Sequence, residues 1–423
     1  MNIKNLLILI LFSSLFTQPL LQIKISGNRV TKEEIILREI HHPIAIEYSD
    51  SIRIQDQNRI YNLGIFSLVE ISQQKDIYQI NVKEVFRYYP LPLFDFDESK
   101  GKEGASYGFA LNILNLNGKN RQLEFGGMYG NKNVYFIRYM DPWILGDHIS
   151  FKVDLYQILY NSFIYKNHTE HQYSNFIQGF EIGSGFNIGQ KPKFKFNVSF
   201  AKNNLTFTKP LIPIPDNFTK YQNLTIDANY LLDSRDIFID PTFGKLFKIH
   251  VNKTIGFFDT ESFSNIYLEY NQYNKVSNFR ELILISRTKF LIQNESHIPY
   301  FNYESLGGED FVRGYNPSPI QNELNVRDRI QYPQICSQSF ELQYTLIEKK
   351  SYNGGEFGLD NLWFVDIGLG GHSLNDFKNS KPLIGFGTGF RFYISGFGTI
   401  GVDFGFNPTL KKPQLHISDG KDD

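Results

Sequence analysis

The chain has 423 residues, a net charge of −1 and a pI near 6.8, a balance that gives no case for nucleic acid as a partner. Hydrophobic residues are 41% and mean hydropathy is −0.30, as in a water-facing protein, yet aromatics reach 16% with 39 Phe and 25 Tyr. The single cysteine, Cys336, excludes an intrachain disulfide framework and a cysteine-built metal site.

Residues 1–19 read as a secretory signal peptide. Lys4 supplies the charged start, and Leu6–Phe12 with Leu15 and Phe16 forms a short apolar core. That core falls short of the roughly 20 residues a transmembrane helix needs, and no later stretch approaches the length.

Residues 22–86 read as a small α/β module. Gln22–Ser26 alternates as a strand and ends at the Gly27-Asn28 turn pair. Thr31 and Glu34 have capping-box spacing ahead of a helix carrying Ile35, Ile36 and Ile40. A second helix is predicted from about Asp50 to Asn62, stopped by Gly64, followed by strands at Leu68–Ser72 and Ile77–Val85.

From Tyr88 to the end the period changes to two. In Ile149–Leu155, Phe194–Phe200, Phe247–Asn252 and Ile400–Phe404, apolar and polar residues alternate strictly. About sixteen such strands are predicted over 88–423, about eleven before a long turn-rich loop at about 293–336 and about five after it. The first, near Tyr88–Phe96, contains Pro90 and Pro92, as an edge strand does. A closed sheet of about sixteen strands is too wide for side chains to fill its interior. The predicted class is therefore mainly β: a transmembrane antiparallel barrel, apolar outside and wet inside, preceded by the small α/β module.

Alternation also assigns faces. In Trp363–Leu369 the odd positions face lipid, so Asp366 points inward; the same logic turns Glu341 inward in Phe340–Tyr344. The long loop contains Val312-Arg313-Gly314-Tyr315. Folded into the lumen, Arg313 would meet both carboxylates, which its planar fork suits.

These segments resemble the BamA/TamA-like outer-membrane assembly superfamily, built from POTRA modules and a sixteen-stranded barrel. Val312, Arg313, Gly314 and Tyr315 are similar to its inward loop signature, and Phe364-Val365-Asp366-Ile367-Gly368 to the strand motif whose aspartate pairs with that arginine. Glu341 matches a second acidic partner. Asp141-Pro142-Trp143-Ile144-Leu145-Gly146 resembles an early strand-end segment, and Asp233-Ser234-Arg235-Asp236 a mid-barrel periplasmic turn. Residues 22–86 resemble one POTRA domain.

The resemblance implies a bacterial outer-membrane protein with its POTRA domain in the periplasm. Such a protein inserts or exports unfolded client proteins through a laterally opening barrel in the lipid bilayer, with periplasmic chaperones or accessory lipoproteins as partners. It implies no enzyme activity, cofactor or metal, and a loop bracing the wall opposite the opening seam. The chain departs from the main assembly machine in having room for one POTRA domain, and its C-terminus lacks a closing aromatic. A two-partner-type secretion pore and a passive diffusion porin are the alternatives. Gly385-Phe386-Gly387-Thr388-Gly389 is read as small residues lining the lumen rather than a nucleotide loop, with Arg391 facing inward beside them.

Overall fold

The computed structural model describes residues 22–42, 49–74, 77–96, 104–146, 148–166, 169–187, 193–207, 220–257, 262–293, 304–315, 331–352, 355–394, 398–408 and 413–419. The signal segment 1–19 and the loop portions 294–303 and 316–330 lie outside the described residues.

The N-terminal unit follows the order strand–helix–helix–strand–strand: β1 (Gln22–Ser26), α1 (Glu33–Leu37), α2 (Asp50–Tyr61), β2 (Phe66–Gln74) and β3 (Ile77–Glu84). β3 is the central strand, parallel to β1 and antiparallel to β2, which leaves β1 and β2 as sheet edges. Ile35, Ile36, Ile60, Ile65, Phe66, Tyr78 and Ile80 form its core. Gly64 takes φ +71 just past α2, in the left-handed region that favours glycine. The capping box does not form. Lys32 is the N-cap, and the Thr31 hydroxyl donates instead to Glu84 Oε1 at 2.6 Å, because β3 brings a charged acceptor across the unit.

Period-two alternation becomes one sixteen-stranded antiparallel sheet. Eleven strands precede the long loop: β4 (Tyr88–Phe96), β5 (Ala105–Leu116), β6 (Arg121–Gly130), β7 (Lys132–Asp141), β8 (Ile149–Lys166), β9 (Thr169–Asn187), β10 (Lys193–Phe207), β11 (Lys220–Asp233), β12 (Gly244–Phe257), β13 (Phe263–Ser277) and β14 (Leu282–Gln293). The loop contains a two-residue ribbon, β15 (Glu304–Ser305) with β16 (Gln331–Tyr332). Five strands follow: β17 (Gln334–Tyr352), β18 (Gly355–Gly371), β19 (Leu383–Ile394), β20 (Gly398–Phe406) and β21 (Gln414–Asp419). Each strand pairs with its sequence neighbour, β14 pairs with β17 across the loop, and β4 and β21 are the two ends of the ladder.

The sheet curls on itself. The β11–β12 turn crosses the interior to β17 and β20: Gln343 Nε2 donates to Asp240 Oδ1 at 3.3 Å, and Thr399 Oγ1 to the Ile239 carbonyl at 3.0 Å. Apolar side chains cover the outer face and polar ones the inner. On β18, Trp363 is 56% exposed and Asp366 1%. Inside lie cavities of about 680 and 350 Å³, with charged walls that include Arg138, Lys152, Glu181 and Asp227 in the larger and Arg287 and Asp403 in the smaller. Ion pairs such as Arg138 with Asp154, 2.9 Å, and Lys152 with Glu181, 3.0 Å, satisfy the wall.

The N-terminal unit docks at the end of the sheet where β5–β6, β7–β8 and β11–β12 turn. Lys32 N donates to the Gly118 carbonyl at 3.0 Å, and the Arg38 guanidinium stands 4.4 Å from the Trp143 ring centre. The Asn62 amide grips the β11–β12 turn twice, donating to the Asp236 carbonyl at 3.0 Å and accepting from Phe238 N at 2.9 Å. Tyr61 Oη meets Tyr393 Oη at 2.7 Å and donates to Glu356, and burial pushes the Tyr61 phenol well above its usual pKa.

Candidate functional site: an arginine clasp inside the sheet

Register decides which inward side chains share a level. Ser339 on β17 faces Asp366 on β18, which faces Gly385 on β19. One level away run Glu341, Phe364, Gly387 and Gly405, and beyond them Gln343, Leu362, Gly389, Asp403 and His416. Acids sit toward β17, β18 and β20, and glycines leave a notch between them.

The loop tip fills the notch. A Cβ at Gly385 would collide with the Arg313 carbonyl, and one at Gly405 with the Gly314 amide. One at Gly368 would strike Val312 and Leu306. Gly314 itself takes φ +91 and lies against the Phe406 backbone, so the chain turns where only glycine fits. Val312 and Tyr315 anchor the tip in an apolar cluster with Leu291, Leu306, Phe311, Ile335 and Leu383.

Arg313, 5% exposed, is held by three carboxylates. Its Nε donates to Asp366 Oδ2 at 2.8 Å and its Nη2 to Asp366 Oδ1 at 2.9 Å, a bidentate fork. Nη2 also meets Glu341 Oε1 at 2.8 Å and Ser339 Oγ at 3.1 Å, and Nη1 donates to Asp403 Oδ2 at 2.9 Å. The guanidinium carbon lies 3.6 Å from the centre of the Phe364 ring, a cation–π contact in a desolvated place. Two further arginines balance the acids. Arg391 pairs with Asp403 at 2.5 Å, and Arg287 with Glu341 at 3.3 Å. Charge closes at three against three, which a buried cluster needs because unpaired charge there is costly.

Of the residues singled out in the sequence, Val312, Arg313, Gly314, Tyr315, Glu341, Phe364, Asp366, Gly368 and Arg391 come together here. Asp233, Arg235 and Asp236 form a separate group in the β11–β12 turn. Arg235 Nη2 bonds Asp233 Oδ2 at 2.8 Å, and Asp236 accepts from Thr242 N at 3.0 Å. Pro142 and Gly146 lie in the β7–β8 turn, where Asp141 accepts from Trp143 N at 3.0 Å. Sequence reading missed Asp403, Ser339, Arg287 and His416. The signal for Asp403 was present, because Ile400, Val402 and Phe404 alternate with it.

One expectation is corrected. The loop does not brace the wall opposite the ends of the ladder. Gly314 N donates to His416 Nε2 on β21 at 2.9 Å, and Asn407, just after β20, donates to the Gly314 carbonyl. The tip seats on the C-terminal strands because that is where the glycine notch and the inward acids coincide.

No helix among the described residues is long and apolar enough to cross a membrane. The fold is similar to BamA from Haemophilus ducreyi lacking POTRA domains 1–3, at 15% identity and a TM-score of 0.56, covering 94% of this chain and 82% of that one. It is also similar to CdiB from Escherichia coli, at 12% identity and a TM-score of 0.61, covering 94% and 74%. CdiB from Acinetobacter baumannii matches at 12% identity and a TM-score of 0.52, covering 94% and 72%. Residues 115–418 match the Omp85 superfamily domain, a span that runs from the end of β5 into β21 and takes in the clasp, and the chain belongs to the Omp85 superfamily.

Proposed function

We propose that this protein inserts or exports client polypeptides at the bacterial outer membrane, using a barrel that closes between β4 and β21 and opens there. The observation that carries the reading is the clasp, a loop tip locked into the wet interior of an Omp85 sheet by a balanced charge cluster. In this reading the N-terminal unit is one POTRA domain facing the periplasm, and residues 1–19 are the export signal.

The work is physical. Edge strands β1 and β2 offer unpaired backbone groups to an extended client, giving affinity without sequence specificity. β4 carries Pro90 and Pro92, which have no N–H to donate, and β21 spans six residues among those described. A seam between two such strands is weak, so it parts and lends its edges to a client strand. Clients and the lipid bilayer are the partners, with periplasmic chaperones or accessory lipoproteins as suppliers.

The test uses the full protein in proteoliposomes. A urea-denatured outer-membrane barrel client is diluted in, and its folding is followed by resistance to protease. The reading predicts faster folding than in empty liposomes and loss of that gain in Asp366→Ala. Folding no faster than in empty liposomes removes the insertion reading. Client found protected inside the vesicles but unfolded selects export.

A further inference from the structure

Gly314 is gripped on both sides by the C-terminal edge of the sheet. Its amide donates to His416 Nε2 at 2.9 Å, and its carbonyl accepts from Asn407 Nδ2. His416 lies in the middle of β21, with Leu415 and Ile417 exposed on either side of it, and both His416 and Asn407 are buried.

β21 is the shortest strand of the sixteen-stranded sheet among the described residues. It registers with β20 only from Ile400↔Asp419 to Gly405↔Gln414, whereas β8 and β9 register from Ile149↔Phe186 to Lys166↔Thr169. Its registered partner among the described residues is β20, and a short strand at the end of a ladder opens at low free energy. The loop tip adds a second attachment, from inside. Arg313 fixes that tip to β17 and β18, so its position does not depend on β21.

We propose that His416 and Asn407 are positioning residues through which the seated loop tip retains the terminal strand. β21 stays in the wall while Gly314 is in place, and withdrawal of the tip releases it. The ring nitrogen of His416 accepts an N–H, so it works as a neutral acceptor; an apolar side chain of similar size cannot replace it, whereas a glutamine carbonyl can. Because the strand retained is one side of the proposed seam, loop release and seam opening become one event. That consequence rests on the function proposed above; the retention itself does not.

Hydrogen–deuterium exchange on the full protein in lipid nanodiscs tests it, comparing wild type, His416→Leu, His416→Gln and Arg313→Ala. Loss of one buried hydrogen bond predicts about five- to tenfold faster exchange of residues 414–419 in His416→Leu, with the amides of β17 and β18 unchanged. His416→Gln restores slow exchange. Arg313→Ala, which leaves every β21 side chain intact, gives the same acceleration from the loop side and serves if His416→Leu does not assemble. Unchanged exchange of 414–419 in both His416→Leu and Arg313→Ala overturns the proposal, as does equal loosening of β8 and β9, which means general instability. Client folding is measured on the same samples. Loosened β21 with no client folding by any variant or wild type leaves the retention standing and removes the assembly reading.

Discussion

The Arg313 guanidinium and the Asp366 carboxylate lie edge to edge, joined by paired bonds of 2.8 and 2.9 Å, and the Arg313 backbone N–H adds a third bond of 3.0 Å to the same carboxylate. One aspartate therefore fixes both the side chain and the main chain of the loop tip. A bond to the side chain alone would let the tip swivel about it; with the main chain held too, the tip has one orientation.

Removing either partner leaves charge buried without its counterpart. Arg313→Ala and Asp366→Ala are each expected to destabilise the seated loop by roughly 3–5 kcal/mol, less where the lumen is hydrated, while the sheet still inserts. Arg313→Lys is expected to fail nearly as badly, because an ammonium cannot reproduce the fork to Asp366 and the contacts to Glu341 and Asp403 together. Limited proteolysis of the loop reads this directly, with heat-modifiable gel mobility as the check that the barrel is intact.

The notch makes a separate prediction. At Gly385 a single methyl group meets the Arg313 carbonyl, so Gly385→Ala is expected to cost about 1–3 kcal/mol and to lift the tip without touching any charged group. Ile384→Leu, on the outward face next door, is expected to leave the loop protected. The same proteolysis series ranks the two.

Much of this was legible in the amino-acid order, and the gaps have physical causes. Strict alternation fixes faces, so Asp366 and Glu341 could be turned inward from Trp363–Leu369 and Phe340–Tyr344 alone. Strand pairing was legible too, since neighbours in a meander pair with neighbours. What alternation leaves open is register, and register put Asp403 and His416 within reach of the loop. The loop's seat on the C-terminal strands was misjudged for that reason: the glycine column Gly385, Gly387, Gly389 was read as lumen lining, without the backbone that would fill it. Thr31 shows a local signal overruled by distance in sequence, because Glu84 on β3 outcompetes the helix for its hydroxyl.

A lipid-facing exterior predicts an asymmetric response to charge. Trp363 lies midway along β18 on the outer face, so Trp363→Arg is expected to cost about 2–4 kcal/mol in a bilayer. Asn229 lines the larger cavity between Lys195 and His250, and Asn229→Asp is expected to be nearly neutral. Urea unfolding in liposomes, followed by tryptophan fluorescence or gel mobility, gives both values.

The docking of the N-terminal unit rests on a few side chains, chiefly the double grip of Asn62 on the β11–β12 turn. Asn62→Ala removes two hydrogen bonds and is expected to cost about 1–3 kcal/mol of docking free energy. Distances between spin labels on α2 and on the β13–β14 turn should broaden in this variant, while the unit itself stays folded.

The most direct measurement of the central claim is the conductance of the purified protein in a planar bilayer, for wild type and Arg313→Ala side by side. A loop clasped in the lumen predicts a mostly closed, noisy wild type and larger, longer openings once the arginine is gone. A wide, steady pore in wild type, unaltered by Arg313→Ala, contradicts the clasp and describes a diffusion channel.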